Sequence, residues 1–231
     1  MVDFGIPDIL ALAWFVGAWV AYSLAIEKTA KGNNGLNALM NGYRDEWMDR
    51  LLGREMRMVD AQVTAALQNG TAFFASTSLI AIGGTLTVLR SSDQIIDLVS
   101  ALPFGGQQSA ALWEVKMLGL TVIFAYAFFK FAWSYRLYNY VAIMVGAAPP
   151  VAEKDTADAR AYAHRTSQIC ADAGRHFNRG QRALFFALGY LGWLLGPVPL
   201  ALTTTAVLIV MWRRQFASDS RKAFSATPPG P

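Results

Sequence analysis

The chain has 231 residues, 54% of them hydrophobic and only 16% charged, with a mean hydropathy of +0.31. Soluble domains carry about 25% charged residues, so this balance excludes disorder and a collagen-like repeat and points to a membrane protein with its apolar residues gathered into spans. The one cysteine, Cys170, excludes an internal disulfide and a cysteine-built metal cage, and 20 Lys and Arg against 16 Asp and Glu leave a net +4 whose meaning depends on its placement.

A crossing helix needs about 20 mostly apolar residues. The first such run is 9–26, closed by Glu27 and Lys28. No basic residue precedes it and no small-residue cleavage site follows, so it reads as a retained span and not a signal peptide. From residue 36, Leu36, Met40, Tyr43, Trp47 and Leu51 recur on one helical face. Arg50, Arg54 and Arg57 form an adjoining stripe, and Glu46 precedes Arg50 by four residues, the favourable order for a helical ion pair. No proline separates this segment from the second apolar run, 71–89. One helix is therefore predicted to pass from a cytoplasmic segment, 36–70, into the bilayer.

The second run carries Ser76, Thr77, Ser78, Thr85 and Thr87 around Gly83 and Gly84. Hydroxyls in spans bond back to their own helix or to a neighbour; a polar pore lining is the other reading. Residues 92–102 suggest a short interfacial helix. The third run, 113–133, ends in a stretch holding Lys130, Trp133, Arg136 and Asn139. Lys130 is an ionisable residue in an apolar run and so a functional candidate. Snorkelling of its ammonium to the headgroups, within a belt of Trp and Tyr, is the plainer role.

A second cytoplasmic helical segment, 155–182, sets Tyr162, Ile169, Ala173 and Phe177 near one face and Arg175, Arg179 and Arg182 along another. The fourth apolar run, 183–212, is longer than one crossing requires and contains Pro197 and Pro199, which interrupt a helix. It either crosses once, kinked and tilted, or turns back as a re-entrant hairpin. Gly192 and Gly196 form a GxxxG that permits close helix packing beside Pro197. Residues 225–231 read as a flexible tail.

Charge placement orients the chain. The residues before the first run and the connection 91–112 hold no Lys or Arg, whereas the connections after the first and third runs are rich in both. By the positive-inside rule those two connections face the cytoplasm and the N-terminus lies outside. The charge is then topological and not a nucleic-acid footprint. A single final crossing conflicts with this, because it would export Arg213, Arg214, Arg221 and Lys222.

Signals for catalysis are absent: there is no GxSxG, HExxH, phosphate-binding glycine loop or dinucleotide fingerprint. His164 and His176, twelve residues apart, turn about 120° from each other on an ideal helix and make a poor ligand pair. Cys170 reads as a small buried hydrophobe. No cofactor, no metal and no enzymatic activity are expected. The arginine groups could hold anionic lipid headgroups.

Gly42-Tyr43-Arg44-Asp45-Glu46-Trp47-Met48, Ala75-Ser76-Thr77-Ser78, the stretch 129–139, and Arg179-Gly180-Gln181-Arg182-Ala183 through Trp193 and Gly196-Pro197 together resemble a multi-span membrane family of bacteria and plants, domain-of-unknown-function family 599. The resemblance covers about residues 9–212 and implies a polytopic membrane protein with about four spans and no catalytic residue. It draws attention to Arg44, Trp47, Lys130, Trp133, Arg136, Asn139, Arg179, Arg182, Trp193 and Pro197. The expectation is an all-α membrane protein with about four transmembrane helices and long amphipathic cytoplasmic helices, forming a single integral membrane domain over 1–231. It would sit in the bacterial inner membrane as a homo-oligomer or complex subunit. Candidate lipid or interface contacts are Arg44, Trp47, Arg50, Arg54, Arg57, Lys130, Trp133, Arg136, Asn139, Arg175, Arg179 and Arg182. A channel or transporter is the alternative.

Overall fold

A computed structural model describes residues 5–28, 35–90 and 109–217; the expected interfacial helix at 92–102 and tail at 225–231 lie outside them. The described residues form six α-helices and no strand: α1 (Ile6–Lys28), α2 (Leu36–Leu52), α3 (Met58–Arg90), α4 (Ala110–Gly146), α5 (Ala157–Tyr190) and α6 (Pro197–Phe216). Short 3₁₀ turns occur at Val151–Glu153 and Leu191–Leu194. Three of these helices, α1, α3 and α4, are long and apolar enough to cross a membrane.

The long helices share one device. On α4, Trp113, Met117, Leu120, Ala127, Phe131, Ser134, Tyr138, Val141 and Val145 are buried, and most of these positions alternate in steps of three and four. On α5 the same alternation runs through Ala159, Ala163, Thr166, Cys170 and Ala173. On α3 the buried positions are Asp60, Thr64, Thr71, Ser78 and Thr85, the last four spaced by seven. A 3.5-residue repeat keeps one seam of a helix facing its partners, and small residues along α5 allow close approach. The α3 seam is polar. Its hydroxyls are satisfied locally, Thr64 donating to Asp60 O at 2.8 Å and Thr71 to Leu67 O at 2.7 Å.

Two departures from the sequence reading concern helix ends. First, α2 and α3 are separate: the chain leaves α2 after Leu52 and re-enters a helix at Met58. The stripe Arg50, Arg54, Arg57 is therefore not a helical face, because Arg54 and Arg57 stand in the connection. Arg54 pairs with the Asp60 carboxylate, and the Arg57 guanidinium donates to Ala148 O at 2.7 Å and Pro149 O at 2.5 Å. These tertiary contacts override the local tendency to continue the helix. The α2 face shifts as well, with Met48, Leu51 and Leu52 buried and Tyr43 46% exposed.

Second, the fourth run is not a single kinked span. Residues 183–190 complete α5, so the expected cytoplasmic segment and the start of the apolar run are one helix. The chain then reverses at Gly196, whose φ of +136° suits only glycine, and Pro197 opens α6 at its first position, where its missing N–H costs nothing. Thr203 Oγ1 donates to Gly189 O at 2.6 Å, which fixes α6 antiparallel to the end of α5. A Cβ on Gly192 would lie 2.7 Å from Pro199 O. Of the two readings left open, the hairpin is the one formed, and among the described residues no fourth helix meets the length and apolarity of a span.

Contacts cluster into two compact units, 1–35 with 78–126 and 182–231, and 36–77 with 127–181. The second has a core of Met48, Leu51, Tyr138, Val141, Val145, Ala159, Ala163, Cys170 and Ala173. Ser134 Oγ donates to Ala173 O at 2.7 Å, and Tyr162 OH to Met144 O at 2.9 Å. In the first unit, α1 runs antiparallel to the end of α5, with Trp19 stacked on Phe186 at 5.1 Å and Phe15 edge-on to Tyr190 at 5.3 Å. It runs parallel to α6, with Trp14 Nε1 donating to Thr205 Oγ1 at 3.2 Å and Tyr22 OH to Met211 O at 3.1 Å.

Candidate functional site

The helix directions in the first unit create two polar ends. At one end stand Asp8, Lys116 and Trp193. Trp193 Nε1 donates to Asp8 Oδ1 at 2.7 Å, and the Lys116 ammonium lies 5.4 Å from the centre of the Trp193 ring, within cation–π range. Asp8 acts on Lys116 electrostatically. Lys116 and Trp193 are each 1% exposed, and Tyr190 meets Trp193 edge-on at 5.4 Å. Gly119 makes room for this cluster, since any Cβ there would run into the Tyr190 hydroxyl and ring.

An ionisable group inside an apolar helix is costly and by default a functional candidate. Lys130, a candidate by that rule, is half-buried. Lys116 has the stronger claim, and the same rule applied to the third apolar run would have found it. Asp8 was not identifiable, because its partners come from α4 and the 3₁₀ turn at 191–194. Lys116→Met keeps roughly the side-chain volume and removes the charge. We expect it to lower stability in detergent by roughly 1–3 kcal/mol, with less than additive loss on combining it with Asp8→Asn. Strict additivity in that cycle would show the two groups to be uncoupled.

The opposite end gathers Glu27, Arg182 and Arg214. Arg182 forms an ion pair with Glu27, their side chains 9% and 29% exposed, and the Arg214 guanidinium lies 5.1 Å from the Phe185 ring centre. Arg182 is thus an interior residue and not part of an exposed stripe with Arg175 and Arg179. Arg175 is exposed and pairs with Asp172; Arg179 is half-buried.

In the second unit several candidates serve its interior. The Arg44 guanidinium donates to Asn41 Oδ1 at 2.7 Å and occupies the space that a Cβ on Gly174 would need. Burial pushes the Cys170 thiol up from its ordinary value, against the opposing charge and hydrogen bond of Arg44. Trp47 Nε1 donates to Asp60 Oδ1 at 2.7 Å. Asn139 Oδ1 accepts from Gln68 Nε2 at 2.6 Å. The expected Glu46–Arg50 pair forms at 2.5 Å. Arg136 stays exposed, donating to Tyr140 OH at 2.7 Å, and the Trp133 and His176 rings lie 6.3 Å apart. Of the second-run hydroxyls, Thr77 and Thr87 donate back to Phe73 O and Gly83 O at 2.9 Å, and Thr121 donates to Thr85 at 2.8 Å. Among the described residues no group of three His, Cys, Asp or Glu side chains could hold a metal ion.

The described residues thus define an all-helical protein with three helices long and apolar enough to cross a membrane and a largely buried Glu27–Arg182 ion pair. A family model described as a protein of unknown function, DUF599, matches residues 10–220, and the chain belongs to that family. Neither a curated protein nor a solved structure matches it.

Proposed function

We propose that this is a multi-pass protein of the bacterial inner membrane, its N-terminus outside the cytoplasm, that acts without catalysis as a helix-packed homo-oligomer or complex subunit. The hairpin supports the orientation. It returns Arg213 and Arg214 to the end that carries Lys28 and Arg182, so these four basic residues share one side, as the positive-inside rule asks.

The open face of α3 carries the oligomeric reading. Only 11% of its most apolar stretch is buried, and Ile80, Gly83, Gly84 and Thr87 share one exposed face at helical spacing. No atom would meet a Cβ on either glycine. Small residues on an open span let a second helix approach closely. Gly84→Cys is expected to give a disulfide-linked dimer under mild oxidation in membranes, and Gly83→Leu to reduce it severalfold. A strictly monomeric mass in mild detergent with no cross-link at 84 would sink this reading. The exposed hydroxyl and glycine positions also suit a pore-lining helix. Ion flux through reconstituted liposomes, lost in Lys130→Ala, would favour a channel instead.

A further inference from the structure

Between α1 and α6 lies an open groove of about 470 Å³, lined by Trp14, Gly17, Ala21, Tyr22, Trp212 and Arg213 among others. Its floor on α1 is built from glycine and alanine, and two hydrogen bonds, Trp14 to Thr205 and Tyr22 to Met211, join α1 to α6 along it. From Trp14 to Ala25 the groove extends about 16 Å at 1.5 Å per residue. That is close to half of a ~30 Å hydrocarbon core, the depth of one leaflet. An apolar groove of this length with a cation at one end suits a hydrocarbon chain whose headgroup lies beside that cation.

Charge selects which lipid. The lining is apolar from Trp14 onward until Arg213, an exposed cation at the Ala25 end, with Arg214 and Lys28 in the terminal turns of the same two helices. We propose that the α1/α6 groove binds one acyl chain of an anionic phospholipid, with its phosphate at Arg213. This rests on the preceding reading only in taking the first unit as membrane-embedded. It does not depend on an oligomer.

The test is native mass spectrometry of the full chain released from nanodiscs containing equal phosphatidylglycerol and phosphatidylcholine with identical acyl chains. The wild type should retain phosphatidylglycerol preferentially. Arg213→Gln should reduce that preference roughly fivefold, the worth of one cation at an anionic surface, while Ala21→Phe, which fills the groove, should lower retention of both lipids. Retention unchanged in Arg213→Gln overturns the proposal, and that variant decides alone if Ala21→Phe does not fold. The same spectra report the number of chains per particle. A lipid-bearing monomer would keep this proposal and reject the oligomer.

Discussion

Gly192→Ala is expected to lower stability by roughly 1–3 kcal/mol or more, the range for forcing atoms into a filled interior. The added Cβ would meet Pro199 O at 2.7 Å and its carbonyl carbon at 2.9 Å, and a backbone neighbour cannot swing aside as a side chain can. Relief requires the two arms to separate, which strains the Thr203 bond to Gly189 and the seat of Trp193 against Asp8. Gly70→Ala is the control: no atom lies within 4 Å of its Cβ, and alanine is favoured over glycine in a helix by about 1 kcal/mol. Thermal unfolding in detergent should therefore move in opposite directions for the two variants. A Gly192→Ala protein that melts with the wild type would show that the arms of the hairpin do not touch here.

Arg182→Ala should destabilise by about 3–5 kcal/mol, as expected when one partner of a buried pair is removed and the other is left behind. The loss follows from position. Glu27, at 29% side-chain exposure, retains some access to solvent or headgroups, which places the expectation toward the lower figure. Arg50→Ala also breaks a close pair, but with side chains 68% and 48% exposed it should cost at most about 1 kcal/mol. Replacing both partners, Arg182→Met with Glu27→Leu, should recover much of the loss, since an apolar pair of similar size needs no compensation. The double-mutant cycle separates the pair term from packing. A loss for Arg182→Ala no larger than that for Arg50→Ala would place Arg182 in contact with water and not in the interior.

Both results bear on topology. The hairpin and the Glu27–Arg182 pair together set the end of α6 beside the end of α1. A C-terminal reporter is expected on the side of Lys28, and Arg213 and Arg214 then agree with the charge distribution of the other connections.

Local chemistry made much of this legible. The three apolar runs at 9–26, 71–89 and 113–133 lie within α1, α3 and α4, because an uninterrupted apolar stretch without proline has no better conformation than a helix. The Glu46–Arg50 pair was readable because both partners sit on one turn. Gly192, Gly196, Pro197 and Pro199 marked the place where the last run fails as one helix. They did not say whether it bends or reverses. That depends on whether residues from Gly189 to Thr204 can touch, a contact made possible by the missing Cβ of Gly192 and closed by a hydroxyl fourteen residues from its acceptor.

The places of the charges were harder to read. Arg54, Arg57 and Arg182 look alike in sequence, as basic residues in basic segments, yet they end on a buried carboxylate, on two peptide carbonyls and on Glu27. Lys116 was visible as an ionisable residue in an apolar run, but its partners Asp8 and Trp193 lie 108 and 77 positions away. Composition, periodicity and proline placement determined that this protein is helical, apolar enough to enter a membrane, and biased in charge along its length, since each is a property of a few neighbouring residues. The tertiary structure alone decided which charges are neutralised inside and which way the last arm points, because burial and direction exist only where distant segments meet.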